Sequence, residues 1–145
     1  MLKQITQSIR LCREYSQLID SVKRQRLEKG RSPFLVTGLS KGASDAFFAE
    51  ATGDVREICG APALILVSEE RDAVRLRDVL TECGVRTLFF PDRDLNLYNA
   101  AASHEFEHER LKVLCALHDG SCDAIVTVPD AVLRYTIPIL SFRKK

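Results

Sequence analysis

Long hydrophobic runs are missing from this chain: the most apolar stretch, residues 61–67, is far shorter than the roughly 20 residues that span a bilayer. The first residues are not expected to act as a signal peptide, since Lys3 is followed by neither an apolar core segment nor a small-residue cleavage site. No charge of one sign prevails. The 21 Lys and Arg face 20 Asp and Glu, and the net +1 supplies no global pull towards nucleic acid or an anionic membrane. The five cysteines (Cys12, Cys59, Cys83, Cys115 and Cys122) are odd in number and never spaced Cys-x-x-Cys, which argues against a disulfide framework and a zinc ribbon. They read as small core residues in a reducing cytosol, so a cytoplasmic location without membrane association is expected. Repeats and low-complexity tracts are also lacking.

What is present is an ordinary globular composition, 46% hydrophobic and 28% charged over 145 residues. That length fits one domain and buries about two-thirds of the unfolded surface. Ile5, Ile9, Cys12, Tyr15, Ile19 and Val22 recur every three or four positions and predict one long helix over residues 3–29. Its far end is basic, with Lys23, Arg24, Arg26, Lys29 and Arg31.

The run Phe34, Leu35, Val36, Thr37, bounded by Pro33 and Gly38, predicts a buried strand, and residues 43–59 return to helical spacing before Gly60 and Pro62 stop them. Residues 63–67 show no polar alternation, the mark of a parallel strand covered on both faces. Ser68 is placed to cap the next helix, with Glu69 and Glu70 in its first turn and Ala73, Val74, Leu76, Val79 and Leu80 on its inner face. A third strand is expected over residues 86–90, an irregular loop over 91–102, and a helix capped by Ser103 that buries Phe106, Leu111, Leu114 and Leu117. Residues 124–128 form the fourth strand, with Pro129 opening a short helix. Alternating strands and helices imply a three-layer α/β fold, a parallel sheet with helices on both faces.

Three short motifs invite a catalytic reading. Gly38, Ser40 and Gly42 match the Gly-x-Ser-x-Gly nucleophile elbow between strand and helix, but no His follows His118 to complete a triad. The same segment, aligned on Lys41 as a phosphate-loop lysine, puts Leu35 and Ser40 where glycines must free the backbone and Gly42 where a hydroxyl must hold magnesium. Only the lysine survives, which leaves at most a weak anion site at the helix N-terminus. Finally, His104, Glu105 and His108 spell His-Glu-x-x-His, a zinc helix if a third ligand existed. Leu111 and Leu114 occupy the continuation, and Glu109 is the last Glu in the chain. The match is read as coincidence. No catalytic, nucleotide-binding or metal residue is assigned, and no cofactor is expected.

The ordered series then resembles the N-terminal region of the transcription-repair coupling factor (Mfd) family over roughly residues 30–137. It is carried by Leu35, Val36, Thr37, Gly38 and Leu39, by residues 63–70 with the helix over 73–80, and by Phe89, Phe90, Pro91 and Asp92. Leu97, Tyr98 and Asn99, then Ser103 and His104, Glu109, Arg110 and Leu111 with Leu114 and Leu117, and the valine-rich residues 125–128 and 131–133 complete it. Leu97 and His104 stand where that family usually has Pro.

The resemblance implies a degenerate P-loop, helicase-like domain similar to the first domain of UvrB. It implies an N-terminal helix over residues 1–33, the UvrB-like domain over 34–137, and a tail over 138–145 leading to a second domain. It implies no enzymatic activity in this segment and a scaffold role in recruiting UvrA to stalled RNA polymerase during transcription-coupled excision repair. ATP-driven translocation and contacts to polymerase and DNA would belong to further domains. The alternative is a nucleotide-dependent helicase-type fragment that binds ATP with a partner domain. The basic run 23–31 has no interleaved aromatics to stack bases and reads as a solvated helix end.

Overall fold

The computed structural model describes residues 2–30, 32–92 and 100–136, with the side chains of residues 2–5 and 100–105 left aside. In chain order these form α1 (Leu2–Arg10), α2 (Arg13–Leu27), α3 (Lys41–Cys59), β1 (Ala63–Leu66), α4 (Glu70–Glu82), β2 (Thr87–Phe90), α5 (Ala100–Asp119), β3 (Ala124–Thr127) and α6 (Pro129–Leu133). The fold is α/β. Its sheet is parallel, in the order β1-β3-β2, with Ile65 and Phe89 both level with Val126.

The chain steps from β1 over β3 to β2, then back to β3. Right-handed crossovers in opposite directions put their helices on opposite faces, and the two cores follow. On one face α3 and α4 pack Ala49, Ala73, Leu76 and Leu80 against Ile65, Ala124 and Val126. On the other, α5 and α6 pack Val113 and Ala131 against Phe90 and Ile125. β3 is buried along its whole length, as a central strand should be.

Four expectations are corrected. Residues 34–37 are not a strand; 32–40 are exposed coil, and Leu35 keeps 89% of its surface in water. A strand needs a neighbour as well as a pattern, and these residues lie against α2 and α3 instead. The single N-terminal helix is broken: the Leu11 and Cys12 amides donate to the Ser8 and Ile9 carbonyls, a tightened turn, and Cys12 is extended. The break lets α1 and α2 both lie on α3, where Arg10 binds Glu50 and Asp54 and the Tyr15 hydroxyl donates to Asp54. Neither Ser68 nor Ser103 is a cap, because α4 is preceded by Glu69 and α5 is already helical from Ala100. Of the cysteines only Cys122 is buried; Cys12 and Cys115 are exposed.

The N-terminal end of the sheet is tied by Asp123. It accepts from the backbone amide of Arg86 at 3.1 Å, from Arg86 Nε at 2.9 Å and from Arg86 Nη2 at 2.8 Å, and it pairs with Arg56 Nη1 at 2.8 Å. The Asp123 carbonyl also accepts from the Ala63 amide at 2.9 Å. One residue thus aligns the starts of all three strands. The Arg86 hydrogen bonds hold the carboxyl below its ordinary 3.8, against the opposing effect of burial. A depressed folded-state value means the contribution is complete above the unfolded value and fades as pH falls through the folded one. Asp123→Ala should therefore cost about 1–2 kcal/mol at pH 7 in urea unfolding, with the deficit shrinking below about pH 4. A deficit unchanged down to pH 2 would assign the loss to something other than the carboxylate.

Candidate functional site

Ligands of parallel α/β sheets bind outside the carboxyl ends of the strands, where the following helices begin. At this edge lie Ser68 to Glu70 after β1, Pro91 and Asp92 after β2, Val128 to Asp130 after β3, and the start of α3. The start of α3 is located by Lys41, whose Nζ lies 3.7 Å from Asp72 Oδ1 in the first turn of α4.

The motif residues 38–42 make no phosphate cradle. Gly38 has φ +81°, a left-handed value that favours glycine, but a Cβ built on Gly38 or Gly42 would meet no atom within 4 Å. Nothing is brought close to the backbone there. Helix α3 starts at Lys41 itself, and the segment before it is open coil. Ser40 does not stand on a strained elbow: it is extended, φ −68° and ψ 164°, and its Oγ accepts from the Ala43 amide at 3.4 Å as the N-cap of α3. The strand that either motif requires ahead of it is absent.

Two arginines at this edge, Arg75 and Arg134, are hydrogen-bonded to the protein's own carboxylates, while Lys41 and Arg71 stay exposed. Arg75 grips Asp45 with both terminal nitrogens, at 2.7 and 3.0 Å, and Lys41 faces Asp72. Arg134 holds Asp92 through Nε at 2.7 Å and Nη2 at 3.3 Å, while the Asp92 amide donates to Glu70 Oε1 at 3.0 Å. These pairings raise the pKa values of Arg75 and Arg134 above the ordinary arginine value, chiefly through the hydrogen bonds to Asp45 and Asp92.

Arg110, on the inner face of α5, is 7% exposed. It lies 4.0 Å from the Phe90 ring centroid and donates through Nη1 to the Pro91 carbonyl at 2.7 Å. Both terminal nitrogens reach the Ala131 carbonyl at 3.3 Å. The guanidinium thereby ties the chain leaving β2 to helix α6, and Thr127 Oγ1 adds a bond to the Phe90 carbonyl at 2.7 Å. Chemically the edge is a network of ion pairs and carbonyl contacts in which Arg75 Nε is buried without a hydrogen bond, 3.8 Å from Asp72 Oδ1.

Arg110 is the residue the apolar-stripe reading passed over. It stands four positions after Phe106 and three before the buried Val113, on the helix face that packs inwards, whereas Leu117 of the expected stripe is 40% exposed. Asp45, Asp72 and Arg134 belong to no motif, and Asp92 closes the Phe89 to Asp92 block without a sign of its partner Arg134.

Of the zinc-type motif, His108 is exposed, and the side chains of His104 and Glu105 lie outside the described residues. Among the described residues no group of three His, Cys, Asp or Glu side chains is placed to hold a metal ion. Also among them, no helix is long and apolar enough to cross a membrane. Lys23, Arg24, Arg26 and Lys29 are exposed at the end of α2, and Arg31 is outside the described residues.

A separate cavity of about 490 Å³ lies between α2, residues 35–39 and α3, lined by Cys12, Tyr15, Leu18, Val36, Leu39 and Phe47 among others. Burial, and then the hydrogen bond to Asp54, push the Tyr15 phenol well above its ordinary 10, so it stays neutral at physiological pH. Neither protein-family models nor curated proteins nor solved structures yield a match to this chain.

Replacing Arg110 by Met keeps the stem but strands the Pro91 and Ala131 carbonyls. Urea unfolding should then show a loss of about 2–4 kcal/mol, and Lys, which lacks the fork, should not restore it. Stability within 0.5 kcal/mol of wild type would show the clamp to be idle. Ser40→Ala should cost about 0.5–1 kcal/mol as the loss of a cap, and a serine-directed fluorophosphonate probe should fail to label Ser40.

Proposed function

We propose that this chain is a non-catalytic scaffold module of the transcription-repair coupling factor kind, with a degenerate P-loop and a UvrB-like arrangement. In a larger N-terminal unit it would help recruit UvrA to stalled RNA polymerase in transcription-coupled excision repair. The observation that carries the non-catalytic part is electrostatic. A triphosphate needs free cations and bare amides, yet at the carboxyl edge of the strands Arg75, Arg110 and Arg134 are hydrogen-bonded to the protein's own oxygens, and exposed Lys41 stands alone against the charge of Asp72 at 3.7 Å. The turn before α3 offers no enclosing backbone to replace them.

Support for a module that works against further protein comes from the surface. Leu64, Leu66, Leu133 and Tyr135 are exposed, large and apolar, and such surface commonly marks contact with more chain or a partner. The assignment to repair rests on the motif series from Leu35 to Leu133.

Titration calorimetry of residues 1–145 with ATP and magnesium should give no saturable binding below about 1 mM, a free energy weaker than about −4 kcal/mol. Micromolar affinity or ATP turnover would overturn the non-catalytic reading. The whole protein that carries these residues should retain UvrA in size-exclusion chromatography and release RNA polymerase stalled on DNA. Failure of both would remove the repair assignment while leaving the scaffold reading intact.

A further inference from the structure

Among the described residues β3 is paired on both sides, while β1 and β2 each keep an unpaired outer edge; the edge of β1 is the one next to the chain that feeds α3. The amides of Ala63 and Val67 donate inwards, to the Asp123 and Thr127 carbonyls. Backbone groups alternate along a strand, so the N–H and C=O groups of Leu64 and Leu66 point away from β3 to the open edge. The side chains of these two residues, 56% and 52% exposed, stand on the sheet face that α5 and α6 cover only over β2 and β3. Bare strand edges of this kind recruit extended chain.

The extended chain nearest in sequence is the stretch before α3. Residues 34–37, Phe-Leu-Val-Thr, are strand-forming residue types in a solvent-exposed coil. Handedness says where they would go. α3 packs on the same face of the sheet as α4, and the step through α4 runs from β1 towards β2. A right-handed unit made of 34–37, α3 and β1 must run in the same direction, which places 34–37 beyond β1, on the vacant edge.

Polarity agrees. α3 begins beside the start of α4, at the end of the sheet where β1 finishes, so a strand feeding α3 through Gly38 to Ser40 runs parallel to β1. Ser32 is fastened to α2 by Gln25 Nε2 at 2.7 Å, and Ser40 caps α3. The eight steps between them can span about 26 Å, roughly twice a four-residue strand. Gly38, already at φ +81°, is the natural pivot.

We propose that residues 34–37 are a strap with two seats: the one seen, where they wall the cavity beside Tyr15, Leu18 and Phe47, and a second on the outer edge of β1 as a fourth parallel strand. The two seats exclude each other. Docking on β1 opens the cavity wall, and anything that fills the cavity against Val36 and Leu39 holds the strap off the sheet. The inference is independent of the repair assignment, because it uses only the sheet edge, the handedness of the crossover and the residues of the strap.

Amide hydrogen exchange read residue by residue by NMR on residues 1–145 tests it. In the wild type, Leu64 and Leu66 should exchange at least tenfold more slowly than their intrinsic rates. In the variant Leu35→Pro/Val36→Pro, which removes a strap amide whichever residue faces β1, that protection should disappear while Ile65, Ile125 and Val126 stay protected. If the prolines disturb those three controls, Leu35→Ser/Val36→Ser serves instead and should reduce the protection. Unprotected Leu64 and Leu66 in the wild type would overturn the proposal without recourse to any variant. So would protection that survives both variants, which would mean another occupant, such as a second copy detectable by sedimentation, sits on the edge.

Discussion

Ala124–Thr127 hold the molecule together because they form the one strand that both others can reach. β1 and β2 never touch; each is hydrogen-bonded to β3 alone. The two cores are likewise assembled on alternate residues of this strand, Ala124 and Val126 on one face and Ile125 on the other. A strand with helices on both sides and neighbours at both edges has no solvent-facing position, so all four residues are small or medium apolar or, in Thr127, satisfied by the Phe90 carbonyl.

Around that strand the two ends of the sheet are secured by different chemistry. At the amino end a single carboxylate, Asp123, gathers Arg86 and Arg56, so the ties are ionic and sensitive to acid. At the carboxyl end a buried guanidinium, Arg110, gathers carbonyls and an aromatic face. Arginine suits the second task because it cannot lose its charge at any relevant pH and its planar fork reaches two acceptors at once. The same edge is where parallel α/β sheets bind ligands, and here Arg75, Arg110 and Arg134 turn to the protein's own oxygens.

Local pattern made much of this legible. Helices α3, α4 and α5, the three paired strands and the proline that opens α6 all follow from periodicity and punctuation, because their apolar spacing matches the surfaces they bury. Residues 34–37 show the limit of that logic: their pattern is as strand-like as that of β1, but pairing is decided by a neighbour far away in sequence. The break at Leu11 and Cys12 was hidden for a related reason, since the spacing of apolar residues continues across it and only the need to wrap α3 bends the chain. The site was the least legible part. Arg75 with Asp45 and Arg134 with Asp92 are pairs 30 and 42 residues apart, and no local motif announces them. Arg110 did leave a trace, a charged residue at a core position of an otherwise apolar helical stripe.

The central strand is also the last of the three to be made. A ribosome releases β1, α4, β2 and α5 before Ala124 appears, and until then neither finished strand has β3 to pair with. At ordinary elongation speeds that interval lasts on the order of a few seconds, during which Ile65 and Phe89 have no sheet to bury them. The three-stranded sheet cannot therefore close before its central strand is made. It closes in one late event, by insertion of a strand between two that are already waiting.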